Sequence, residues 1–115
     1  MENKEFSKKL ENRTKVFAIK IIKLSASLPN TIEGKIVRNQ LTKAGTSIGA
    51  NYREANRARS RADFKNKIKI CESEANETLY WLEIIREMKW AEISSEFAES
   101  DELLSIFASI GRSLS

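Results

Sequence analysis

The chain has no histidine, one proline and one cysteine among its 115 residues. Each shortage removes a class of chemistry. Without histidine there are no Glu-x-x-His pairs for a di-iron bundle, no histidine-held zinc and no Ser-His-Asp relay. A lone cysteine, Cys71, cannot close an internal disulfide, so nothing in the sequence asks for an oxidising compartment. Long apolar runs are also missing. The longest, from Val16 to Ile22, is interrupted by Lys20 and is far too short to span a bilayer. The first nine residues, Met1 to Lys9, lack the apolar core of a secretory signal. These absences predict a cytoplasmic chain with no membrane contact. Its length suits a single domain over residues 1–115 that buries its own core.

With only four glycines and Pro29 to make turns, the chain should consist of a few long elements. Charged residues at 31% and hydrophobic residues at 41% suit amphipathic helices. Four periodic segments follow. The first runs from about Phe6 to Ser27, with Leu10, Phe17, Ile21, Leu24 and Leu28 on one stripe. Leu28-Pro29 ends it, and Asn30 or Thr31 is placed to cap the next. The second runs from about Ile32 to Ala58, with Val37, Leu41, Ala44, Ile48 and Ala55 inward. Gly45 and Gly49 share one of its faces, which fits close helix approach or a kink. Ser60 with Asp63 resembles a capping box at the start of the third segment, about Arg61 to Met88. There Phe64, Ile68, Cys71, Ala75, Thr78, Leu82 and Ile85 form the cleanest heptad seam in the chain. The fourth runs from about Ser94 to Ser113, on a stripe of Phe97, Leu104, Phe107 and Leu114 with Leu103 and Ile110 beside it. The middle helices match in length, each ~40 Å at 1.5 Å per residue. Joined by a short link, they predict an all-α, antiparallel, up-down-up-down four-helix bundle.

The pattern offers more apolar surface than one bundle needs. The third helix carries a second stripe, Ile70, Trp81, Ile84 and Met88, with Tyr80 nearby; the first adds Val16, Ile19 and Ile22. A helix apolar over more than half its circumference is buried on two sides. The expectation is a homo-oligomer with Ile70, Trp81, Ile84 and Met88 in its interface, the alternative being a wide core around which these residues wrap.

Charge is unevenly placed. Residues 1–71 carry 17 basic and 6 acidic side chains, and residues 72–115 carry 3 and 10. The densest stretch, Arg53 to Lys69, holds seven basic residues against Glu54 and Asp63. It straddles the turn between the second and third helices, where free N–H groups and the helix dipole favour phosphate. Arg53, Arg57, Arg59, Arg61 and Lys65 are therefore candidate contacts to RNA or DNA through its backbone, with no aromatic ladder for base readout. The competing reading is a solvated, charged turn.

Catalytic apparatus is not recognisable. Gly45-Thr46-Ser47-Ile48-Gly49 lacks the lysine and spacing of a phosphate loop. Glu72, Glu74 and Glu77 offer carboxylates to a hard cation, but a solvated face or an ion pair explains them as well. Cys71 lies on the core seam and reads as a small buried hydrophobe. The expectation is a protein that is not an enzyme and takes neither cofactor nor metal.

Thr46-Ser47-Ile48-Gly49-Ala50-Asn51-Tyr52-Arg53-Glu54-Ala55, followed by Arg57, Arg59, Ser60, Asp63 and Phe64, resembles the signature of a family of bacterial four-helix bundle proteins. That family was first noticed as open reading frames in intervening sequences of large-subunit ribosomal RNA genes. Ser73 to Glu83 continues the match, and the resemblance extends from about Arg13 to Leu114. It implies a homopentameric ring of bundles without established enzymatic activity. It also implies kinship with the accessory protein of diversity-generating retroelements, a basic pentamer that binds a reverse transcriptase and nucleic acid. An adaptor role toward a reverse transcriptase or other protein is thus the second functional expectation. Many family members have proline where this chain has Gly49 and glycine where it has Ala55. Ser47, Asn51, Glu54 and Ser60 match signature positions and read as structural, with Glu54 placed to pair with an arginine.

Overall fold

The computed structural model describes residues 3–115. Four helices follow in order: α1 (Lys4–Ala26), α2 (Ile32–Ala55), α3 (Arg61–Glu87) and α4 (Ser94–Ser113). They pack antiparallel into a bundle 44 Å long and about 20 Å across. Each helix lies against its neighbours in the chain, and α4 closes back on α1 only lightly. The α1/α4 side is therefore opposite the α2/α3 side.

Local chemistry sets the helix ends. The side chains of Asn3, Thr31 and Ser60 accept from the N–H groups of Phe6, Gly34 and Asp63, capping α1, α2 and α3. At α4 the cap residue is Ile93, which has no such oxygen. Glu92 substitutes, its carboxylate accepting from Ser94 N–H at 2.8 Å. Hydrogen bonding from the Ser94 side chain, and then from its N–H, holds the Glu92 carboxyl below its usual range.

The predicted seams form the core. Leu41, Ile48, Ile68, Ala75, Leu82 and Ile85 are fully enclosed, with Phe17, Ile21, Leu103 and Phe107 from the outer helices. Each large side chain so buried contributes roughly 1.5–3 kcal/mol. Tyr52 meets Phe107 edge to face at 5.5 Å. Three of the four buried serine and threonine hydroxyls are satisfied: Thr14 donates to the Leu10 carbonyl and Thr78 to that of Glu74, while Ser100 crosses from α4 to the Ala75 carbonyl at 3.1 Å. The Ser25 hydroxyl has no partner among the described residues.

Gly45 and Gly49 permit close approach, and α2 runs unbroken through both. A Cβ on Gly45 would sit 2.8 Å from an Ile21 methyl, and one on Gly49 would sit 2.9 Å from the Thr14 hydroxyl. Two details differ from the sequence pattern. Helix α2 ends at Ala55, because Arg57 and Ala58 already bond three residues back in a tightened exit turn. On α4 the enclosed line is Ser100, Leu103 and Phe107, while Phe97, Leu104 and Leu114 stay half-buried. The light α1/α4 contact leaves α4 rotated to favour α3.

Among the described residues, no helix is long and apolar enough to cross a membrane.

Candidate nucleic-acid interface

Helix order brings four chain segments to one end of the bundle: the start of α1, the end of α2, the start of α3 and the end of α4. Two hydrogen bonds tie them. Asn56 donates to Glu11 of α1 at 2.9 Å, and Arg61 donates to the Leu114 carbonyl at 3.3 Å.

The five basic residues singled out in the sequence are all at this end but do not share one face. Arg57 and Arg59 stand at its tip, exposed. Arg53 projects to the α1 side, lining a hollow of about 170 Å3 with Thr14, Lys15 and Gly49. Arg61 and Lys65, one turn apart, lie on the flank toward α4, with Lys65 half-buried. None of the five joins an ion pair among the described residues. Their charge is thus free for a ligand.

The fold adds cations that local sequence density does not reveal. Lys4 and Lys8 arrive with the start of α1. Arg112, brought by the end of α4, faces Lys69, the last residue of the dense basic stretch, across a cleft of about 690 Å3 between α3 and α4 that Ser73, Asn76, Leu104 and Ser105 also line. Glu72 is also in this cleft, so its net charge is modest. The signal for these residues was topological: an up-down-up-down bundle must bring both termini beside the α2–α3 turn.

The family-signature residues have local roles. Ser47 donates to the Lys43 carbonyl at 2.6 Å, Asn51 donates to the Ser47 carbonyl at 2.8 Å, and Ser60 caps α3. The expected pairing of Glu54 with an arginine is not found; its side chain is exposed and in no ion pair among the described residues. The firm ion pairs lie elsewhere. Arg13 bonds Glu99 at 2.7 Å and Glu102 at 3.0 Å, tying α1 to α4 and raising the guanidinium pKa further.

Among the described residues, no group of His, Cys, Asp or Glu is arranged to hold a metal ion. Glu74 and Glu77 are a turn apart on the α2-facing side of α3. Partial burial, then repulsion from Glu77, raises the Glu74 pKa, and Lys43 opposes the shift. Cys71 is fully enclosed, its thiol directed at the Ile48 carbonyl at 3.5 Å.

The second apolar stripe is divided. Ile70, Trp81 and Ile84 are half-buried, with Trp81 and Ile84 against the core, whereas Met88 is 53% exposed. Trp81 donates its indole N–H to Glu77 at 3.1 Å and meets Tyr80 edge to face.

A family model described as the 23S rRNA-intervening sequence protein matches residues 7–114. The chain belongs to this family. Among solved structures it is similar to a protein of unknown function from the S23 ribosomal protein family of Bacteroides thetaiotaomicron VPI-5482. Identity is 38%, 92% of this chain and 97% of that one are covered, and the TM-score is 0.83. A comparison with curated proteins finds no match.

Proposed function

We propose that this member of the 23S rRNA-intervening sequence protein family is a non-enzymatic, homo-oligomeric bundle, pentameric as the family resemblance implies. It binds RNA or DNA through phosphates at its basic end. The observation that carries the reading is the set of cations at that end without ion-pair partners, Arg57 and Arg59 above all. An arginine free of a carboxylate offers its planar fork to phosphate, and releasing counterions from the polyanion drives the association. Nothing at the tip reads base edges, so the binding discriminates little between sequences.

Fluorescence anisotropy with generic RNA and DNA duplexes over a salt series tests it. Four to five phosphate contacts give a slope of log K against log salt of about −4 on B-DNA. The charge reversals Arg57→Glu and Arg59→Glu should abolish binding and leave the fold intact, since neither side chain holds another element in place. Binding that survives both reversals removes the site. Absence of binding at low salt turns the basic end into a docking surface for an acidic protein, the adaptor reading. A co-purifying partner resistant to nuclease would then identify it.

A further inference from the structure

Two clefts of the bundle treat their polar side chains differently. At the α1/α4 seam, beside an open cleft of about 290 Å3, Arg13 holds Glu99 and Glu102, and Lys20 donates to Ser95. The larger α3/α4 cleft is lined by six polar side chains, Lys69, Glu72, Ser73, Asn76, Ser105 and Arg112. Among the described residues, none of these six side chains makes a hydrogen bond or an ion pair. Even the two serine hydroxyls stay open, although Ser47 and Thr78 turn back on a carbonyl four residues earlier. Two helices thus bring unused donors and acceptors to one space, and its 690 Å3 or so is the size of a ligand site.

The polar groups are ordered along the cleft. Helices α3 and α4 run antiparallel, so Lys69 is level with Arg112 at the basic end, and Asn76 with Leu104 and Ser105 farther in. Glu72 stands between. Its carboxylate reaches across to α4, since a Cβ on Gly111 would lie 3.9 Å from Glu72 Oε1. A smaller hollow of about 220 Å3 shares Lys69, Glu72 and Arg112 and continues past Gly111 to Ser115, so the cleft opens toward the tip. Arg61 and Lys65, two turns and one turn before Lys69 on α3, lead into it.

Two cations and one carboxylate leave the cleft with a single net positive charge. The lone negative charge of a phosphodiester balances it, whereas a phosphate monoester, at about −1.5 to −2, exceeds it. An anion without donors would also meet repulsion from Glu72. The occupant must therefore carry a hydroxyl beside its phosphate, which RNA does at the 2′ position and DNA does not. We propose that the α3/α4 cleft seats one nucleotide of single-stranded RNA, its phosphodiester between Lys69 and Arg112 and its 2′-hydroxyl donating to Glu72. This rests on the phosphate reading above and names the nucleic acid that this flank selects. No aromatic side chain lines the cleft to stack a base, so the selection is for the sugar and not for sequence.

Anisotropy with single strands of one sequence, as RNA, DNA and 2′-O-methyl RNA, tests the seat. RNA should bind about tenfold tighter than DNA, as a hydrogen bond to a charged acceptor provides. The 2′-O-methyl strand has no proton to donate and should bind like DNA. Glu72→Ala should bring the affinities together, with RNA weaker and DNA severalfold tighter once the repelling charge is gone. Glu72→Gln keeps an acceptor oxygen and should retain part of the preference. The Glu72 side chain bonds no other described residue, so both variants should fold. Equal binding of RNA and DNA by the wild type overturns the seat and leaves the phosphate reading standing, as does a preference that survives Glu72→Ala. If no strand binds at low salt, the phosphate reading fails, and the ribodinucleotide ApA decides the cleft alone. Amide signals of Ser73, Asn76 and Ser105 should then shift with ApA and less with its deoxy counterpart; no shift overturns the seat as well.

Discussion

Cys71 illustrates how one side chain's setting dictates its behaviour. Enclosure in the α3 seam disfavours the thiolate and pushes the pKa from the ordinary 9 up to about 12. The native thiol should therefore resist alkylation at neutral pH and react only on unfolding. It also couples stability to alkaline pH. Above pH 9 the unfolded chain has released this proton while the folded chain retains it. Stability is thus complete below about 9 and falls as pH rises toward 12, by at most ~1.4 kcal/mol per pH unit. Denaturant unfolding of wild type and Cys71→Ala across that window checks this; the variant should show the shallower decline. The heptad position of Cys71 made its burial legible from sequence. The fate of Glu54 was not legible, because ion pairing depends on where two flexible side chains end, and periodicity does not encode that.

At the scale of the helices, the exit from α3 contains a conformational misfit. Trp90 N–H bonds the Ile85 carbonyl and Lys89 N–H the Arg86 carbonyl, the two bonds of a Schellman turn. The turn holds Lys89 at φ 58°, where a Cβ is disfavoured by ~1–2 kcal/mol. Lys89→Gly should raise stability by about 1 kcal/mol, seen as a higher denaturant midpoint at unchanged slope. Three of the four helix starts were readable, two of them from Thr31 and Ser60 as caps and the fourth segment's from its stripe. The rotation of α4 was not, since the stripe alone does not tell which neighbour it favours. Close approach through Gly45 and Gly49 was one of two readings of their spacing; Ile21 and Thr14 opposite them decide it.

For the whole molecule, bundle topology was legible from four stripes and three short links, whereas the basic end was only half legible. The run from Arg53 to Lys69 marked it, but Lys4, Lys8 and Arg112 join it only because the chain folds back on itself. A 44 Å rod with unpaired cations gathered at one end should steer toward polyanions before contact. Its association rate with duplex should fall steeply from low to physiological salt, as the Debye length shrinks from roughly 30 to 8 Å. Stopped-flow mixing at several ionic strengths checks this, and a flat rate would show that the end contributes nothing at a distance. If subunits assemble as the proposed ring, cyclic symmetry would turn every one the same way up, and any tilt of the rods toward the ring axis would give that assembly a positive and a non-positive side. The proposed ring would then be a one-sided plate, able to cap a single strand of nucleic acid but not to staple two together through opposite faces.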